Sequence, residues 1–319
     1  MKKKVLITGF EGFLGSHLTK RLVSGGADVI GLDIEVRRKE TILNPQDYKR
    51  IKVIKADVSD YGLVRDIIAK NKIEIVFHLA AEALVVRGHK SPLRTFSSNI
   101  CGTWNVLEAC RVSGSIEAVI VASSDKAYGA HKKLPYRESY PLVGSHPYDV
   151  SKSCADLISY TYYYSFGLPV AITRCGNIYG PGDFNFSRIV PDAIRSALSG
   201  KTLLIRSDGK FIRDYIYIDD IVNSYLILAK NLKKLNLAGE AFNFSDETPI
   251  EVKELVKKIY KLSGKEENYK ILNQARFEIR NQYLSSAKAR RILHWRSKVS
   301  LDEGLKKTIA WSREYLKKG

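Results

Sequence analysis

The chain of 319 residues has one methionine, three tryptophans and only four cysteines. Cys101, Cys110, Cys154 and Cys175 form no CxxC pair. Four scattered thiols suit a reducing, cytoplasmic compartment and read as small apolar residues. Six histidines form no HxxxH or Cys/His cluster, so no metal site is expected. No apolar run approaches the ~20 residues that cross a bilayer, and no membrane partner is expected. The apolar run after Met1-Lys2-Lys3-Lys4 is too short for a signal peptide. Acidic charge is scarce as well: 34 Asp and Glu against 52 Lys and Arg leave a net charge of +18. Such an excess fits a nucleic acid, an acidic surface or an anionic small substrate. The lysines are spread along the whole chain and no basic run is interleaved with aromatics. Nucleic acid is therefore not expected, and the excess reads as solvated surface charge whose field still favours a diphosphate.

What is present begins at the N-terminus. The apolar run Val5–Thr8 leads into Gly9-Phe10-Glu11-Gly12-Phe13-Leu14-Gly15 and then a helix-patterned Ser16–Ser24. A strand, a glycine loop and a helix in this order read as a dinucleotide site; the alternative is a glycine-rich turn in an ordinary α/β protein. The first glycine allows the tight turn, the second admits the pyrophosphate, and the third lets helix pack on strand. The helix N-terminus then faces the phosphate charge. A second apolar run ends in Asp33, placed to meet the adenosine ribose. A carboxylate there repels a 2′-phosphate and argues for NAD. Arg37 and Arg38 follow closely and could instead hold that phosphate; the alternative is that they are solvated loop charges.

Apolar runs at Val5–Thr8, Asp28–Asp33, Ile51–Ala56, Ile73–Leu79, Ala118–Ser123 and Pro169–Thr173 alternate with helical patterns at Ser16–Ser24, Gly62–Lys70, Pro92–Val112 and Tyr148–Phe166. This alternation predicts an α/β fold, a Rossmann-type doubly wound parallel sheet with helices on both faces. In such sheets ligands bind at the carboxyl ends of the strands. Those ends carry Gly9–Gly15, Asp57 with Val58, His78–Ala81 and Ser123–Lys126. After Gly176 the pattern loosens. Helices are expected at Arg188–Gly200, Asp219–Asn231, Val252–Ser263, Ser285–Leu293 and Leu301–Leu316, and strands at Leu203–Ile205 and Phe211–Ile218. The expected division is a dinucleotide domain over residues 1–175, with 211–230 returning to it, and a smaller substrate domain over 176–319.

The chemistry concentrates between Ser123 and Lys152. Tyr148 and Lys152 are one helical turn apart on one face. An ammonium beside a phenol lowers the phenol's pKa, which makes Tyr148 a candidate base with Ser124 as its hydroxyl partner.

Together these segments resemble the extended short-chain dehydrogenases/reductases that act on nucleotide sugars. The resemblance covers nearly the whole chain. It rests on the Thr8–Gly15 loop, His78-Leu79-Ala80-Ala81, Asn99-Ile100-Cys101-Gly102-Thr103, Tyr148 with Lys152, Gly176–Gly182 and Arg213–Asp220. By position in that family, Gly9, Gly12, Phe13, Leu14, Gly15, Asp33, Asp57, Val58, Leu79, Ala80, Ala81, Tyr148 and Lys152 would meet the cofactor. Asn177, Arg188 and Arg213 would meet the nucleotide sugar. The pair after the catalytic hydroxyl, Asp125-Lys126, is similar to that of CDP-glucose 4,6-dehydratases.

The resemblance implies an NAD-dependent hydro-lyase that carries hydride from C4 to C6 of an NDP-hexose, CDP-glucose first. Asp125 would serve as acid and Lys126 as base, if their pKa values are shifted; the alternative is a structural ion pair at a strand end. The rival activity is a nucleotide-sugar 4-epimerase of the UDP-glucose kind. A homodimer is implied through the helices at Pro92–Val112 and Tyr148–Phe166. The run Tyr160, Tyr162, Tyr163, Tyr164 would line that interface or else cover the sheet.

Overall fold

A computed structural model gives the fold over residues 3–83, 85–275 and 278–318. The apolar runs form the first six strands of one sheet: β1 Lys4–Thr8, β2 Asp28–Asp33, β3 Ile51–Lys55, β4 Ile75–His78, β5 Ala118–Ala122 and β6 Val170–Cys175. A seventh, β7 Ala241–Phe244, completes it. The order is β7-β6-β5-β4-β1-β2-β3, and all the pairings are parallel. Strands covered on both faces need apolar residues on both, which is why the inner runs are continuous, whereas the edge strand β3 exposes Lys52 and Lys55. Val5, Ile7, Phe77 and Ile120 pack into one apolar cluster. Their neighbours Leu6, Val76, Val119 and Val121 pack into a second one. The order reverses between β1 and β4, and there a cleft opens at the strands' carboxyl ends.

Three elements differ from the sequence-based expectation. The helical stretch from Pro92 contains a π-turn at Ser97–Cys101, between α-helices Pro92–Phe96 and Gly102–Ser113. The extra residue in that turn accompanies a buried Asn99. Its amide donates to Ser151 Oγ (2.9 Å) and the Glu82 carbonyl (3.2 Å), and its oxygen accepts from the Glu82 N–H (2.7 Å). The apolar Phe211–Ile218 segment is two short strands, Ile212–Arg213 and Tyr215–Tyr217, which join different small sheets. They part at Asp214, whose buried carboxylate accepts from Ser245 Oγ and the Leu284 N–H. Finally, β7 lies beyond residue 176 yet hydrogen-bonds along β6. The helix Ile218–Asn231 also packs on the helix Phe13–Ser24 and on β5, so the later residues do contribute to the first layer.

Candidate active site

Above the sheet's switch point lies a cavity of about 750 Å³, lined by residues of both halves of the chain. Gly9 turns out of β1 with φ +73°, and a Cβ there would sit 2.8 Å from the Ala80 nitrogen. A Cβ on Gly15 would sit 2.0 Å from the Gly9 oxygen. Any side chain at either point would push the loop off the sheet. No side chain caps the helix Phe13–Ser24, so its first N–H groups stay available for a phosphate. Asp33 ends β2, 5% exposed. Arg38 Nη2 donates to it at 2.6 Å and the Glu11 N–H at 3.3 Å. Burial nevertheless raises its pKa, against the pull of Arg38. The Arg37 guanidinium lies 5.1 Å over the Tyr48 ring. Both arginines are thus occupied, Arg38 on Asp33 and Arg37 on a ring, which suits a free 2′-hydroxyl rather than a 2′-phosphate.

The turn that closes this end is set by a chain of oriented hydrogen bonds. Thr8 Oγ1 accepts from the N–H groups of Leu79 and Ala80, both at 3.2 Å, so its hydrogen points to His78 Nδ1 at 2.8 Å. His78 therefore carries its proton on Nε2 and donates to Thr103 Oγ1 at 3.1 Å. Thr103 in turn donates to the Asn99 carbonyl at 2.6 Å. Burial, with the charge of Lys152 nearby, pulls the imidazole down to about 3, so it is neutral and serves the turn.

The reacting groups stand at the end of β5. Ser124 caps a single 3₁₀ turn, Asp125–Tyr128, by accepting from the Lys126 N–H at 3.2 Å. Its own hydroxyl donates to Asp125 Oδ1 at 3.0 Å. Asp125 is 4% exposed, and its Oδ2 has no hydrogen-bond partner among the described residues. Lys126 Nζ donates to Gln282 Oε1 rather than to Asp125. Desolvation, then the charge of Arg213, lowers the Lys126 pKa. Tyr148 and Lys152 sit near the start of the helix Pro147–Phe166, where Pro147 presets the first turn.

Here the geometry departs from the expectation that Lys152 acidifies Tyr148. Desolvation pushes the phenol up to about 12, opposed first by Arg188 and then by a hydrogen bond with Ser124. Lys152 Nζ donates to the Ala122 carbonyl at 2.7 Å and lies 5.9 Å from the Tyr148 ring centre. Burial lowers the Lys152 pKa to about 8.

Of the residues singled out in the sequence, Gly9, Gly12, Phe13, Leu14, Gly15, Asp33, Asp57, Val58, Leu79, Ala80, Ala81, Ser124, Asp125, Lys126, Tyr148, Asn177, Arg188 and Arg213 all line the cavity. Lys152 is not among the lining residues; its Nζ donates to the carbonyl of Ala122, which is. The three substrate candidates are partly engaged. Asn177 Nδ2 donates to the Asp214 carbonyl at 3.1 Å and Arg188 Nη1 to Asp183 Oδ2 at 3.2 Å. Arg213 donates to the carbonyls of Ile212, Ile279 and Arg280, so at most two of its five N–H groups remain for a ligand.

Two residues escaped sequence reasoning. Asp149, 3% exposed, lines the cavity beside Tyr148, and burial raises its carboxyl to about 6. Its place next to Tyr148 was the available signal. Gln282 had none: 156 residues separate it from Lys126.

A family model described as GDP-mannose 4,6 dehydratase matches residues 6–308. The chain belongs to that family. Over 332 residues it is 30% identical to the CDP-glucose 4,6-dehydratase of Salmonella typhimurium, covering 99% of this chain and 92% of that one. A solved UDP-glucose 4-epimerase of Thermotoga maritima, with UDP-glucose, superposes with a TM-score of 0.88 at 30% identity, covering 98% and 99% of the two chains. The dTDP-glucose 4,6-dehydratase DesIV of Streptomyces venezuelae, with NAD bound, gives a TM-score of 0.88 at 27% identity, covering 98% and 97%. A trifunctional UDP-glucose 4,6-dehydratase/3,5-epimerase/reductase of Arabidopsis thaliana is also 30% identical, over 318 residues. The chain spans about half of that protein's length, 47%. The extended dehydrogenase/reductase architecture and the doubly wound sheet expected from the sequence are thus those of its relatives, and NAD is a cofactor seen among them.

Proposed function

We propose that this chain is an NAD-dependent nucleotide-sugar 4,6-dehydratase, with CDP-glucose the first substrate to test. The observation that carries this reading is the Ser124-Asp125-Lys126 turn. It presents a buried carboxylate with an unpaired oxygen and an amine of lowered pKa at the cavity wall, next to Tyr148. A 4-epimerase needs only to remove and return hydrogen at C4. An acid and a base beyond Tyr148 are the extra requirement for losing water. The resemblance to the Salmonella CDP-glucose enzyme supports the choice of nucleotide.

Bound NAD would accept hydride from C4 and later return it to C6. Tyr148, bonded through Ser124, exchanges the proton of the 4-hydroxyl. The C4 ketone acidifies the hydrogen on C5. Lys126, uncharged, takes that proton, while Asp125, protonated, gives its own to the departing 6-hydroxyl, so water leaves across C5–C6. Once hydride reaches C6, the proton on Lys126 returns to C5, the proton taken from the 4-hydroxyl makes up the one Asp125 gave to the departing water, and the product is the 4-keto-6-deoxy sugar. Desolvation lowers the Lys126 pKa and so favours the free amine that a base must be, while Asp125 can act as the acid only once it holds a proton.

The test is incubation with CDP-, dTDP-, UDP- and GDP-hexoses followed by mass spectrometry. Loss of one water from one of them supports the dehydratase. A product of unchanged mass with inverted C4 replaces it with the epimerase, a reading that the equally similar Thermotoga enzyme keeps in play.

We further propose that two copies pair through the helices at 92–113 and 147–166. Tyr163 packs against Gly239 and Tyr162 against the core, whereas Leu157, Tyr160, Tyr164 and Phe166 lie exposed, as does Trp104. Two rings of the tyrosine run thus cover the core, and the two that face outward are the ones this pairing would bury.

A further inference from the structure

We propose that Gln282 is a positioning residue for the elimination step, holding Lys126 against the 3₁₀ turn by a neutral amide so that the amine can take up the C5 proton. This rests on the dehydratase reading above and assigns a role to a residue in a distant part of the chain.

Gln282 lies on the short strand Asn281–Gln282, directly opposite Arg213 on the strand Ile212–Arg213, and is fully buried. Both ends of its amide are committed, and to consecutive residues. Nε2 donates to the main-chain carbonyl of Asp125 at 2.9 Å, and Oε1 accepts from Lys126 Nζ. A carbonyl can only accept, so Nε2 must face Asp125, which turns Oε1 toward Lys126. The amide therefore pins the turn and the amine together. A fully buried amide is tolerated only when both halves are satisfied, as they are here.

The choice of amide over carboxylate has an electrostatic meaning. Four charged groups face Lys126: Asp125 in its own turn, Asp149 on the helix 147–166, Arg213 on the facing strand, and Glu278 in the segment leading to Gln282. Desolvation and Arg213 disfavour the ammonium, the three acids favour it, and the net effect lowers the Lys126 pKa. A glutamate at 282 would keep the reach and the acceptor but add a fourth acid in direct contact with Nζ. A glutamine accepts the N–H and leaves the balance where it is.

The experiment compares Gln282→Glu and Gln282→Met with wild type, each carrying its own cofactor, on whichever NDP-glucose the wild type dehydrates. Growth of nicotinamide absorbance reports C4 oxidation, and mass spectrometry of released product reports elimination, both across pH. A base works only when deprotonated, so elimination rises with pH through the Lys126 pKa. Gln282→Glu should move that rise at least one pH unit upward, a loss of about tenfold at any pH on the limb. Gln282→Met keeps length but neither bond. It should slow elimination about tenfold or more with C4 oxidation within about threefold of wild type.

A Gln282→Glu protein that eliminates with an unmoved limb overturns the proposal, as does a Gln282→Met protein in which oxidation and elimination fall together. Should the glutamate variant fail to fold by circular dichroism, the methionine variant decides. A wild type that inverts C4 and keeps its 6-hydroxyl removes the dehydratase reading, and this assignment with it. A wild type that dehydrates while the variants behave as wild type removes the assignment alone.

Discussion

Asp125→Asn should make the protein more stable and stop it from dehydrating its substrate. The carboxylate is 4% exposed, with Oδ1 bonded to Ser124 and Oδ2 without a partner among the described residues. Its charge also pushes up the carboxyls of Asp149 and Asp214. An unpaired buried acceptor costs roughly 1–3 kcal/mol. Asparagine keeps the oxygen that accepts from Ser124 but puts an amide NH₂ where Oδ2 stood, so it recovers only the excess cost of a charged over a neutral unpaired group. It also withdraws an acid that favours the Lys126 ammonium, which offsets part of the gain. A net of about 1–2 kcal/mol remains. Unfolding entropy of about 2.1 cal/mol/K per residue, over 319 residues, gives roughly 0.7 kcal/mol per degree. The melting temperature should rise by about 1–3 °C by calorimetry at matched cofactor content. Elimination should fall about 10²- to 10⁴-fold, the scale of a lost general acid, while nicotinamide absorbance still grows on adding substrate. A variant that melts lower yet dehydrates normally would refute the argument and leave Asp125 as a structural charge beside Lys126.

Tyr148→Phe should retain NAD and lose at least ~10²-fold in turnover, measured by product formation beside chromatography of released cofactor; near-normal turnover removes Tyr148 from the chemistry. Protein denatured after purification should release NAD rather than NADP, because Arg38 is paired with Asp33; mostly NADP would mean that pairing breaks on binding. Asp149 keeps its proton to about 6 in the fold, well above an unfolded aspartate, so its contribution to stability falls as pH rises from about 4 to 6. Asp149→Asn should therefore gain on wild type across that window, by roughly 2–3 kcal/mol at its top, in urea titrations; parallel curves would contradict the raised carboxyl. Light scattering should give about twice 36.0 kDa, and Tyr160→Glu with Tyr164→Glu should return the monomer; wild-type particles of one chain's mass exclude the dimer.

What the sequence by itself determined was local and periodic. The apolar runs gave six of the seven sheet strands, because a strand covered on both faces must be apolar throughout. The glycine loop was legible because Gly9 and Gly15 stand where a Cβ meets backbone. Ser124, Tyr148 and Lys152 were legible from spacing within one turn and one helix. Tertiary structure decided the rest, for periodicity reports which face is buried but not what lies against it. β7 is four residues with no pattern of its own, made a strand by the edge of β6. Lys152 turns to the Ala122 carbonyl, and desolvation rather than that lysine sets the Tyr148 proton. Gln282 reaches Lys126 only because a short strand pairs with Ile212–Arg213. Contacts between residues far apart in sequence leave no spacing to read, and in a buried site those contacts set the charge states on which acid and base catalysis depends.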